Sequence, residues 1–249
     1  MFSPFTPLHL LAVATLAFLI AGLCGSGRSL TGLARRRFEW TMASAIVALW
    51  LGYQTYDNVT RGFDLGHSLP LQLCDLAAIV AALEFARPSR RVHALAWFWG
   101  VALSSQALIT PDLAGGPATI SFWAFWLYHF FIVGAGVYAV AARGFRPQLP
   151  DLRFAIALGV AYAAVVFTID LAFGLNYGYF GRSDPGQPTL IDVLGPWPVR
   201  VLWMVVLAII AMTLFWLPFE LRARRARNPE QQVVADAATG RRREVSHPR

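Results

Sequence analysis

Seven stretches of this chain are nearly free of formal charge, and that segregation constrains the fold more than any other feature. They cover residues 7–24, 40–56, 69–86, 92–109, 118–142, 154–173 and 198–219. Each approaches the roughly 20 apolar residues that carry an α-helix across about 30 Å of hydrocarbon. Lipid offers no water to backbone N–H and C=O groups, so a crossing segment must satisfy them internally, as a helix or a closed barrel does. No alternation of period two in segments of about ten residues is present, which argues against the barrel. Only 14% of the 249 residues are charged and 57% are hydrophobic, whereas a soluble domain carries about a quarter charged residues. The expectation is an all-α membrane protein: a seven-transmembrane-helix bundle over residues 1–221, followed by a basic tail over 222–249.

The charges between the stretches predict orientation. The chain has no lysine, so its 21 basic residues are all arginine. Arg28 and Arg35–Arg37 follow the first stretch, Arg87, Arg90 and Arg91 the third, Arg143, Arg146 and Arg153 the fifth, and eight more the last. Eighteen arginines thus fall on one side and three, Arg61, Arg182 and Arg200, on the other. The positive-inside rule makes the rich side cytoplasmic. This predicts a multi-pass protein of the cell membrane with its N-terminus outside and its basic loops and C-terminal tail cytoplasmic. The tail has few large apolar residues and is expected to be disordered. Its arginines would attract anionic inner-leaflet lipids, at up to about 1 kcal/mol each near the surface. No recognition fold surrounds them, which argues against nucleic acid. No positive charge precedes the first stretch, so it does not read as a cleaved signal peptide. Cys24 and Cys74 are placed at opposite ends of their helices, most of a bilayer apart at about 1.5 Å per residue. A disulfide needs Cα atoms within about 7 Å, so two free thiols are expected.

Within this topology the polar side chains sort by depth. Gln72, Cys74 and Asp75 open the third helix, and Ser68 and Pro70 read as its cap and first turn. Gln106 and Thr110 end the fourth, followed by Asp112. Ser121, Tyr128 and His129 lie on the fifth, and Asp170 ends the sixth, followed by Asn176 and Tyr177. The last connection carries Asp192. The opposite half looks poor, with Glu84 reading as an interfacial ion pair with Arg87 and Arg91. Ionisable groups inside a membrane helix are costly and usually face the bundle interior. Asp75, His129 and Asp170 on three helices therefore point to a shared cavity open to the outer side. The pattern lacks a helical His/Glu pair at metal-ligand spacing, so neither metal nor cofactor is expected.

The blocks "HSLPLQLCDLA" (67–77), "QALITPDLAG" (106–115), "WLYHFF" (126–131), "NYGYF" (176–180) and "TLIDVLGPWP" (189–198) resemble those of the YwaF-like bacterial integral membrane proteins. Their order and spacing match across nearly the whole chain except the tail. That family is regarded as seven-helix. It is related to an animal polytopic acyltransferase that remodels phospholipid acyl chains, where a cysteine and a membrane-embedded histidine are taken as the catalytic pair. By resemblance these are Cys74 and His129. One position departs from the pattern: Gln72 stands where many bacterial relatives carry His.

The resemblance implies a lipid acyltransferase or acyl-ester hydrolase. A Cys74 thiolate would attack an acyl carbonyl with His129 as base. Asp75 or Asp170 would orient the imidazole, and Gln72, Gln106 or Asn176 would donate to the oxyanion. The partner would be a membrane lipid or fatty-acyl substrate. Two other readings stand beside it: a non-catalytic lipid-binding or small-ligand-binding membrane protein, in which Cys74 is a small hydrophobe, and a transporter, which requires polar groups through both halves of the bundle. Depth is an obstacle to the catalytic reading. Counted from the predicted helix starts at about 1.5 Å per residue, Cys74 lies well above His129.

Overall fold

The computed structural model describes residues 2–111, 113, 115–182 and 190–227. These form α1 (Pro7–Ser29), α2 (Gly32–Arg61), α3 (Leu73–Ala86), α4 (Arg90–Ile109), α5 (Ile120–Ala141), α6 (Leu149–Phe173) and α7 (Val199–Arg227), with short 3₁₀ turns at Tyr177–Tyr179 and Leu190–Leu194. No strand occurs among the described residues. Five helices, α1, α4, α5, α6 and α7, are long and apolar enough to cross a membrane. Large apolar side chains such as Phe18, Val165, Leu202 and Trp203 stand exposed on them, as a lipid-facing surface requires. The remaining two fall short for separate reasons. α2 is long, but Glu39, Gln54, Asp57 and Arg61 interrupt it. α3 has only 14 residues, about 21 Å of helix.

Local chemistry explains most helix starts. Thr6, Ser89 and Thr119 cap α1, α4 and α5 by accepting backbone N–H groups, and Asp151 accepts the Gln148 N–H at 2.8 Å to close the start of α6. Each cap satisfies a donor the helix leaves unpaired. The start of α3 differs from the sequence expectation. Ser68 does not cap it; its hydroxyl accepts the Asp64 N–H at 3.0 Å. The helix begins four positions later than residue 69, after an irregular segment. At the other end of the chain α7 runs past Pro218 to Arg227, into the segment expected to be tail; residues 228–249 lie outside the described residues.

α5 is the central helix, with α1, α3 and α4 packed on it. Its closest neighbour is the π-helical stretch of α4, Ala96–Leu103. A Cβ on Gly100 would lie 2.6 Å from the Ile132 carbonyl oxygen, and one on Gly136 would strike the Ala96 carbonyl. Both positions must be glycine for the two backbones to touch, the usual way membrane helices gain packing without a solvent-driven hydrophobic effect. Ile46, Ala77, Ala78, Ala81, Phe85, Ile132 and Ala135 fill the space between α2, α3 and α5. His9 ties α1 to the end of α4: its Nε2 donates to the Leu108 carbonyl at 2.7 Å while Nδ1 accepts the Phe5 N–H at 2.9 Å.

The arginine-rich end holds a buried ionic network instead of a simple interfacial pair. Glu84 is fully buried, 0% exposed, and meets His93 Nδ1 at 2.7 Å and Arg143 Nε at 2.9 Å, not Arg87 or Arg91. Arg143 also reaches Glu39 at 3.1 Å, which Arg35 and the Tyr138 hydroxyl bond as well. Four charged side chains, an imidazole and a phenol from α2, α3, α4, α5 and the α5–α6 connection thereby meet in one cluster. The expectation of a polar-poor half is corrected by this network: burial forces such charges to pair.

Candidate functional site: a Cys–His contact at the start of a short helix

The late start of α3 places Cys74 at its second helical position instead of its second turn. The segment before it, residues 66–72, is irregular backbone, partly buried, whose polar groups are bonded by α2, α6 and the chain after α6. The Tyr177 hydroxyl donates to the Leu65 carbonyl at 2.7 Å and accepts the Leu69 N–H at 2.9 Å. The Tyr162 hydroxyl of α6 donates to the Leu71 carbonyl at 2.8 Å. Gln54 donates to the Ser68 carbonyl at 3.4 Å, and the Gln72 side-chain oxygen accepts the Gly178 N–H at 2.9 Å. The expected depth mismatch between Cys74 and His129 is absent, since the two side chains meet.

The Cys74 Sγ lies 3.7 Å from His129 Nε2. His129, 4% exposed, stacks obliquely on Phe125 with ring centroids 4.2 Å apart. Its Nδ1 sits 2.8 Å from the Phe125 carbonyl oxygen one turn earlier. A carbonyl only accepts, so Nδ1 carries the proton and Nε2 presents its lone pair to the thiol. A backbone carbonyl therefore does the orienting work that the sequence had assigned to Asp75 or Asp170. Ser104, at the end of the π-helical stretch, lies against the Cys74 sulfur and gives its own proton to the Trp99 carbonyl at 2.8 Å.

Asp75 faces a different set of donors. Its carboxylate accepts Trp50 Nε1 at 3.2 Å, the Tyr128 hydroxyl at 3.0 Å and the Gln72 N–H at 3.2 Å. The last bond closes the N-terminus of α3, and the three together satisfy the carboxyl group next to Cys74. The first intrahelical bonds at this end are those of the Asp75 and Leu76 N–H groups to the Gln72 carbonyl, at 3.0 and 3.4 Å. The Leu73 and Cys74 N–H groups precede that ladder, and helix starts leave such donors for other acceptors. They lie on the positive end of the α3 dipole.

The other candidates spread out. Asp170, 2% exposed, accepts the Tyr177 N–H at 3.0 Å and shapes the chain after α6. Asn176 begins the following 3₁₀ turn. Tyr177 is fully buried and braces residues 65–69 as described. Gln106 and Thr110 are exposed at the end of α4, Ser121 is half-buried near the start of α5, and Asp192 pairs with Arg200. Asp112 lies outside the described residues. Sequence reasoning missed Trp50, Ser104 and Tyr162. Trp50 and Tyr162 look like ordinary aromatic packing, and Ser104 lies in an apolar run; only their partners reveal them. Both cysteines are free, and among the described residues no cluster of three His, Cys, Asp or Glu side chains suits a metal.

No curated protein and no solved structure matches this chain. The family model described as the TMEM164 family matches residues 1–216, from the N-terminus through most of α7. The YwaF-like assignment is finer than that match and stays a resemblance. With nearly all of its helical part covered, the chain belongs to the TMEM164 family, a family of membrane proteins.

Proposed function

We propose that this protein crosses the membrane seven times, with its arginine-rich end cytoplasmic, and transfers or hydrolyses a lipid acyl group through Cys74 and His129. The carrying observation is the 3.7 Å approach of Cys74 Sγ to an imidazole nitrogen whose tautomer leaves it basic. Nε2 takes the thiol proton as sulfur attacks the ester carbonyl. The oxyanion that forms is met by the Leu73 and Cys74 N–H groups at the start of α3, donors aimed where negative charge develops. Collapse breaks the C–O bond, and the departing alcohol takes the proton from the imidazolium. A second alcohol, or water, then attacks the thioester with Nε2 as base, and the thiol is restored. α2 and α3 complete the seven spans by packing against the five more apolar helices rather than by facing lipid along their whole length.

The test is labelling by an acyl-type activity probe on the full chain in membranes. Wild-type protein is labelled at Cys74, while Cys74→Ala and His129→Ala are not. Equal labelling of all three would remove this pair from the chemistry. A transporter would need its polar groups to connect both ends. The ionic network supplies polar groups at the arginine-rich end, but its members are engaged with one another, and Ala77, Ala78, Ala81 and Ile132 intervene.

A further inference from the structure

A cavity of about 740 Å³ opens at the arginine-rich end, away from Cys74. The α5–α6 connection supplies Arg146 and Gln148 to its wall, and the last turns of α7 supply Phe219, Glu220, Arg222 and Arg227. Three arginines thus line the cavity beside one carboxylate. That carboxylate is shared: Glu220 accepts Arg224 Nε at 2.8 Å and lies 4.0 Å from Arg227, which leaves Arg146 and Arg222 as the cavity arginines without a carboxylate partner among the described residues. Arg146 is held by one nitrogen, whose N–H groups meet the Val140 and Phe145 carbonyls at 3.1 and 2.9 Å. This fixes the guanidinium while occupying only part of its donor fork. Gln148 is also the N-cap of the 25-residue α6, so the positive end of that helix dipole adds to the field.

The cavity sits where α7 passes from apolar to basic. Phe219, held edge-on by Trp97 with centroids 5.4 Å apart, forms its apolar wall. Leu214, Leu217 and Leu221 stand exposed along the same stretch of helix. An occupant with a negative phosphate and an attached hydrocarbon fits both halves of this boundary; a free phosphate uses only one. We infer that the cavity binds the headgroup of an anionic phospholipid, with its acyl chains lying along the exposed leucines of α7. Basic pockets at a membrane interface capture such headgroups by the same charge pairing. This site is separate from the proposed acyl chemistry and does not depend on it.

The experiment is a native mass-spectrometry titration of the purified full-length protein with dioleoylphosphatidylglycerol or dioleoylphosphatidylcholine. The expected result is preferential retention of the anionic lipid. Arg222→Gln, an exposed position, weakens it about fivefold, and Arg146→Gln/Arg222→Gln about 25-fold, taking about 1 kcal/mol for each arginine. A tail variant, Arg241→Gln/Arg242→Gln/Arg243→Gln, keeps the preference. Equal retention of both lipids, an unchanged Arg222→Gln variant, or loss of preference in the tail variant would overturn the assignment. So would displacement of the lipid by inorganic phosphate at equal concentration, which would make the ligand a free anion.

Discussion

Tyr177→Phe is the most informative single change outside the Cys–His pair, because it removes one oxygen atom and almost no volume. That hydroxyl donates to Leu65 at 2.7 Å and accepts from Leu69 at 2.9 Å, and the whole residue is buried, 0% exposed. Without it, the part-buried Leu65 carbonyl and Leu69 N–H lose the phenol that links them to the chain after α6. Each lost hydrogen bond is worth about 0.5–1.5 kcal/mol, so the variant loses about 1–3 kcal/mol. Residues 65–72 are what hold the start of α3 at its depth, so the loss is transmitted to Cys74. A displacement of about 1 Å from attack geometry costs on the order of 100-fold in rate. In a thermal-shift assay the melting temperature falls by several degrees, and probe labelling of Cys74 slows by more than the stability loss alone accounts for at room temperature. Tyr56→Phe, on an exposed residue, is the control and should stay within about 0.5 kcal/mol. Should Tyr177→Phe match wild type in both melting and labelling, the bracing role given to this phenol is wrong.

Arg143→Met leaves Glu39 and Glu84 without a shared cation, and removing one member of a buried ionic network costs about 3–5 kcal/mol; denaturant unfolding in detergent should register that loss. Gly136→Ala forces a methyl group onto the Ala96 carbonyl and should destabilise by about 1–3 kcal/mol through overpacking, whereas Gly22→Ala, which meets nothing within 4 Å, should be neutral in the same melt. Tyr128→Phe takes one of three donors from Asp75 at a cost of about 1.5–3 kcal/mol for a hydrogen bond to a charged group; it should lower stability yet preserve Cys74 labelling, and abolished labelling would instead place the phenol in the chemistry.

Much of the helical layout is legible in the sequence because apolar length and charge segregation are one-dimensional properties. Every one of the seven charge-poor stretches contains or overlaps a helix, although only five of these helices meet the length and hydropathy of a membrane crossing by themselves. The polar residues lying in apolar stretches were visible for the same reason, and Cys74 and His129 were among them. The sequence places the start of α3 four positions early because Ser68 and Pro70 carry local signals for a helix that tertiary bonds delay. Leu69 and Leu71 are held by Tyr177 and Tyr162, 108 and 91 residues away, and no local rule weighs a partner at that distance. Glu84 reads as a partner of Arg87 and Arg91 because they are near in sequence, whereas the fold brings it Arg143 and His93.

The sequence alone determined that this chain must fold as apolar helices with arginine gathered at alternate connections, since lipid tolerates neither unpaired backbone nor scattered charge. Only the tertiary structure decided which polar groups meet. It set α3 deep enough to bring Cys74 to His129, gave the imidazole a backbone carbonyl as its partner, and drew Glu39, Glu84 and Arg143 into one buried network. Contacts of that kind depend on helix depth and rotation, which packing among all the helices settles together.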